Sequence, residues 1–175
     1  NLVTGDTNGL ADVFVFDRQT RSMERVSVDS NGAQANRGSG RPTLSADGRF
    51  VSFGSSASNL VSPDGYNKSD VFVYDRQQRT IERISDGPAG AEANQNVYSP
   101  TISADGRFVA FDSFASNLVS DDTNATSDVF VFDRQLRVME RVSLTAEGTE
   151  AAGGSMSPSL GSYKAPSRSC VSMNG

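Results

Sequence analysis

The chain has 175 residues, 36% of them hydrophobic, with ten Phe, no His and a formal net charge of −5. That acidic balance argues against nucleic acid, whose phosphates demand a basic surface, and no apolar run approaches the roughly 20 residues that a membrane-spanning helix needs. The missing His removes Ser-His and Cys-His catalysis, and with the single cysteine, Cys170, it also removes His/Cys zinc sites and any internal disulfide.

The chain opens on Asn1-Leu2-Val3, which recurs as Asn59-Leu60-Val61 and Asn117-Leu118-Val119. No initiator Met or leader precedes it, so the start reads as a cut within a repeat of a longer protein, any signal peptide lying upstream. Next comes Asp12-Val-Phe-Val-Phe-Asp-Arg18, repeated at 70–76 and 128–134 with a constant spacing of 58. Such a short, continuous run of β-branched and aromatic residues is a strand buried on both faces. The segment 23–28 comes closer to alternation and predicts an outer strand.

After a polar loop at 29–41, a short strand at 42–45 is expected, with Pro42 confined to its start where a missing N–H does least harm. Asp47-Gly48 then predicts a tight hairpin, Gly taking the positive φ. Strands follow at 50–55, 70–75 and 80–85, and the pattern repeats over 100–143. Aligned on 103–143, the stretch 45–85 is identical at 28 of 41 positions. This is a repeat protein. A four-stranded antiparallel sheet cannot cover both faces of its own inner strands, so the copies must stack. The expected fold is therefore all-β: a fragment of a β-propeller with four-stranded antiparallel blades and a 58-residue repeat. A β-sandwich is disfavoured by near-identical copies at constant period. Two complete blades are expected (42–85 and 100–143), with partial blades at each end (1–28, and 157–160 beginning the next). Residues 161–175 fall off the pattern and are expected to be a disordered tail.

The phrase Ser-Pro-Thr-Ile-Ser-Ala-Asp-Gly-Arg-Phe-Val-Ala-Phe at 99–111 resembles the WD40-like β-propeller repeat of the kind found in the TolB propeller. The Asp-Val-Phe-Val-Phe-Asp-Arg of 128–134 and the Glu-Arg-Val-Ser of 140–143 extend the resemblance, which covers residues 1–160. It implies a six- or seven-bladed ring, export to the bacterial periplasm or beyond, and a role as a protein-binding platform or as the propeller of a secreted peptidase.

Two loops carry oxygen side chains at alternate positions: Asp122, Asn124, Thr126 and Asp128, and Asp6, Asn8 and Asp12. Such spacing can wrap Ca²⁺, which takes six to eight oxygens. The middle unit departs from it, with Tyr66 at the Asn position and Lys68 nearby. The competing reading is an Asx-rich turn whose side chains cap backbone N–H groups. No other cofactor is implied. The recurring Asp-Arg and Glu-Arg pairs suit cross-strand and blade-to-blade ion pairing rather than a catalytic carboxylate pair, which a ring carries once.

In a propeller the links between second and third strands (56–69, 114–127) share a face with the links between units (29–41, 86–99). Both are long and polar here. That face is the expected binding surface, with Tyr66 and Tyr98 as aromatic anchors and Asn67 and Asn94 beside them. The functional expectation is a non-enzymatic scaffold for a protein or extracellular polymer. The alternatives are the propeller of a larger secreted hydrolase or peptidase, and a calcium-stabilised structural repeat. Open blade faces at either end predict self-association.

Overall fold

A computed structural model of the chain describes residues 2–62, 64, 65, 68–160 and 172–174. Among these residues twelve strands run in order: β1 (Phe14–Asp17), β2 (Ser22–Arg25), β3 (Ser39–Leu44), β4 (Phe50–Ser55), β5 (Asp70–Asp75), β6 (Thr80–Arg83), β7 (Val97–Ile102), β8 (Phe108–Ser113), β9 (Asp128–Asp133), β10 (Val138–Arg141), β11 (Met156–Ser159) and β12 (Ser172–Asn174). Among the described residues the only helical element is a 3-10 turn at Pro88–Gly90.

Each run of four, β3 to β6 and β7 to β10, is an antiparallel meander in chain order. The Asp-Gly turns form as expected. Gly48 and Gly106 take φ of 71° and 73°, and each Gly N–H bonds back to the carbonyl of Ser45 or Ser103 at 2.9 Å. The first partial blade supplies only the outer pair β1–β2, and the last supplies β11, with β12 paired antiparallel to it. The segments 161–171 and Gly175 of the expected disordered tail lie outside the described residues.

The apolar runs face both ways, as their composition requires. Every residue of β5, β8 and β9 is buried. Phe72 and Tyr74 join Val13 and Val26 in the core between the first two blades, while Val71 and Val73 join Phe111 and Phe130 in the core between the next two. Phe53 stacks on Phe72 and Phe111 on Phe130, with ring centroids 5.9 Å apart in both blades, a geometry worth about 1 kcal/mol beyond burial. A third, smaller core joins Phe108, Ala110 and Val131 to Leu160.

Neighbouring blades are joined by a recurring hook: the backbone N–H of Ser39, Val97 and Ser155 bonds to the carbonyl of Ala11, Ser69 and Ser127 at 2.8, 2.8 and 2.6 Å. Below it the expected ion pairs form. Arg49 and Arg107 fork onto Asp75 and Asp133 across the sheet. Arg76 reaches back one blade to Glu24 (2.7 Å), and Arg134 reaches back to Glu82 (2.8 Å).

One expectation is corrected. The inner strand does not begin at Pro42; β3 starts at Ser39 and the proline lies inside it. A bulge accommodates it. The register shifts between Gly40 and Thr43, between Tyr98 and Thr101, and between Met156 and Ser159. The residue before each proline, Arg41, Ser99 or Ser157, is left-handed with φ of 53°, 50° and 57°. A bulge leaves one residue out of the ladder, so the missing proline N–H costs no hydrogen bond there.

Candidate functional site

The long loops do share one face and are tied together across it. Asn94 Nδ2 donates to Ser116 Oγ (3.0 Å), Ser116 N–H donates back to Asn94 Oδ1 (3.0 Å), and Asn94 N–H donates to Asn117 Oδ1 (2.9 Å). One blade earlier, Asn36, Ser58 and Asn59 make the same clasp. Asn94, expected on the binding surface, thus spends its amide on holding two loops in place.

Beneath the face each blade repeats one polar network centred on an arginine of its outermost strand. In the first, Arg25 Nη1 lies 3.4 Å from Asp6 and 3.6 Å from Asp12 and donates to Gln34 Oε1 at 2.9 Å. In the second, Arg83 donates to Asp86 (2.6 Å) and Glu92 (3.0 Å), with Asp64 3.8 Å away. In the third, Arg141 donates to Glu150, with Asp122 at 3.6 Å. Ser27, Ser85 and Ser143 donate to Asp12, Asp70 and Asp128. Gln34, Glu92 and Glu150 also accept from the backbone N–H of Thr7, Gly65 and Thr123 at 3.2, 2.9 and 2.9 Å, which pins the long loop to the blade.

The expected calcium ligands are brought together here. Carboxylate oxygens of Asp122, Asp128 and Glu150 lie within 4.8 Å of one another. Asn124 Nδ2 donates to Asp128 (3.0 Å) and to the Ala151 carbonyl (2.9 Å), while its Oδ1 accepts the Thr126 N–H (2.8 Å). Asn8 does the same with Asp12, Ala35 and Leu10. Both are Asx turns. The asparagine oxygens accept backbone N–H groups and a guanidinium brings positive charge to the carboxylates in both loops, while Thr126 Oγ1, another expected ligand, is buried without a hydrogen-bond partner among the described residues.

The network shifts its acids in opposite directions. Hydrogen bonds from the Thr123 hydroxyl and N–H push Glu150 down to about 2. Burial pushes Asp70 up to about 6, outweighing the Ser85 hydrogen bond. Burial, then the nearby Asp128 charge, also raises Asp122. Glu92, Glu150 and the three arginines were not singled out as a unit by sequence reasoning. The signal was present, since Gln34, Glu92 and Glu150 keep the 58-residue spacing.

Of the expected binding residues, Tyr66 and Asn67 lie outside the described residues. Tyr98 is 36% exposed and flanks a cleft of about 280 Å³ at the seam of the two complete blades. Gly38, Gly40 and Gly54 leave backbone on one side of this cleft, and Arg41 and Pro100 add to its rim. A second cleft of about 420 Å³ opens at the outer seam, among Arg83, Pro88, Val119, Phe132, Arg137 and Met139.

Four-stranded antiparallel blades, stacked in chain order and joined by identical hooks, define a β-propeller. The chain matches no protein-family profile and no curated protein. Among solved structures it is similar to TolB from Acinetobacter baumannii (16% identity, TM-score 0.46, 78% of this chain and 27% of that one). It is also similar to a putative TolB from Agrobacterium tumefaciens (18%, 0.48, 74% and 40%) and to the β-propeller domain of the Trilobed protease from Pyrococcus furiosus (14%, 0.49, 74% and 33%). The chain therefore spans less than half the length of each.

Proposed function

We propose that this run of blades is an exported, non-enzymatic scaffold that binds another protein through its loop-bearing face. The observation that carries this reading is the Tyr98 cleft: an exposed aromatic near the start of β7 beside bare glycine backbone, with the neighbouring loops cross-tied by Asn36 and Asn94. A rigid aromatic anchor on a pre-ordered surface loses little entropy on binding. The glycines leave one wall of the cleft without side chains, so a partner segment can approach closely there.

The test is photo-crosslinking in the cells that make the protein. A photoreactive residue at position 98 is expected to give one discrete adduct, and one at Asp47, in the tight turn of the opposite face, none. Equal labelling from both positions, or no adduct from 98, overturns the reading.

A further inference from the structure

Neighbouring seams are built alike, but one lacks an acid that the next one has. Asp112 of β8 is 3% exposed, and its Oδ1 accepts the N–H of Ser157 from the following blade at 3.1 Å. One 58-residue repeat earlier, the same two positions hold Gly54 and Ser99. Ser99 sits in the same left-handed bulge as Ser157, with φ of 50° against 57°. Its N–H is therefore aimed the same way, at a residue with no side chain. Among the described residues no side chain accepts it.

Gly54 and Ser99 both line the Tyr98 cleft. The space beside Gly54 is open: a Cβ built there would have Ser69 Oγ as its nearest neighbour, at 3.8 Å. No acid lines the cleft among the described residues, and the charge at its edge is positive. Arg41 stands on the rim and Arg37 next to Gly38. Both are exposed, and neither makes a hydrogen bond or ion pair among the described residues. Neither recurs, for the next unit has Ser99 and Gln95 at these positions.

We propose, building on the protein-binding reading of this cleft, that it takes a carboxylate from the partner: an Asp or Glu side chain on an extended segment. That carboxylate does for Ser99 what Asp112 does for Ser157. It accepts the Ser99 N–H and pairs with Arg41 at the rim, a charge-assisted arrangement stronger than a neutral hydrogen bond. Tyr98 packs against the segment that carries it, and the glycine wall lets the segment come close. The next seam is the template, with the acid supplied from within, which favours a carboxylate over a phosphate.

Amide NMR on the full chain tests this with acetate, inorganic phosphate, a capped pentapeptide centred on Asp, and the same peptide centred on Asn. The Ser99 and Gly54 signals are expected to move with the Asp peptide, to need about ten-fold more acetate, and to ignore the Asn peptide. Gly54→Asp supplies the carboxylate from within. Its Ser99 signal should sit at the bound position without any probe, and its affinity for the Asp peptide should fall about ten-fold. The added Cβ meets no clash, so this variant should melt no lower than the parent. Arg41→Gln should weaken the peptide about three-fold. An equal response to the Asn peptide, acetate or phosphate as potent as the Asp peptide, or unchanged binding by Gly54→Asp overturns the proposal. A photo-adduct from position 98 that persists in Gly54→Asp also overturns it, while leaving the scaffold reading standing. The Asp-peptide response without any adduct from position 98 supports the carboxylate site and overturns the scaffold reading.

Discussion

At the scale of single residues, the acids of the arginine networks should report on pH in opposite senses. Glu150 is held well below its ordinary 4.5, so it stabilises the fold above that pH and loses its contribution as pH falls toward about 2. Asp70 is raised from 3.8 to about 6, so its favourable contribution is complete below 3.8 and is lost as pH rises through about 6. Melting curves from pH 7 to 2.5 should show Glu150→Gln losing less stability than the parent below pH 4.5. Asp70→Asn should fail to gain what the parent gains between pH 7 and 4. Two glycines make a second comparison. A Cβ on Gly106 would lie 2.2 Å from the Phe50 ring at φ +73°, whereas one on Gly87 would lie 2.2 Å from the Asn117 carbonyl with no backbone strain. Gly106→Ala should therefore cost about 2–5 kcal/mol in denaturant melts and Gly87→Ala about 1–3. The Gly106 turn was legible in the Asp-Gly pair, because local chemistry dictates it. The demand at Gly87 was not, because the obstructing carbonyl belongs to the next blade.

At the scale of elements, the blade-to-blade ion pair lends itself to a double-mutant cycle. Glu82 accepts from Arg134 and Arg137, and Arg134 also donates to the Gly106 carbonyl and lies 4.3 Å from the Phe50 ring centroid. Arg134→Ala should cost more than Glu82→Ala, with a coupling of about 0.5–1 kcal/mol that shrinks in high salt. Phe111→Ala removes a ring buried in the largest core and should cost about 3–5 kcal/mol. Strand order, turn positions and the doubly buried runs were all readable, because period and composition state them directly. The bulge at Arg41-Pro42 was not. A proline inside a strand pattern ordinarily marks its edge, and only the paired register reveals that the ladder steps around it. In the loop at 122–128 the alternating oxygens were legible as a set of donors, but the arginine beside them was not, because it comes from β10, across the blade.

At the scale of the whole molecule, stability is a chain of similar seams, each shared by nearest neighbours only. The arginine networks supply positive charge from within, so the melting temperature should not move when Ca²⁺ or EGTA is added. A rise of several degrees with Ca²⁺ would restore the cation reading.

The hook from Ser39 to Ala11, from Val97 to Ser69 and from Ser155 to Ser127 has a mechanical consequence. Pulled from its two ends, the molecule bears the load on these joints one after another, because among the described residues the main contacts between elements join only neighbouring blades. Each rupture should release one 58-residue unit, or about 200 Å of extended chain. Optical-tweezer traces should therefore show steps of nearly equal length, and a single all-or-none extension would mean that the blades carry force as one body.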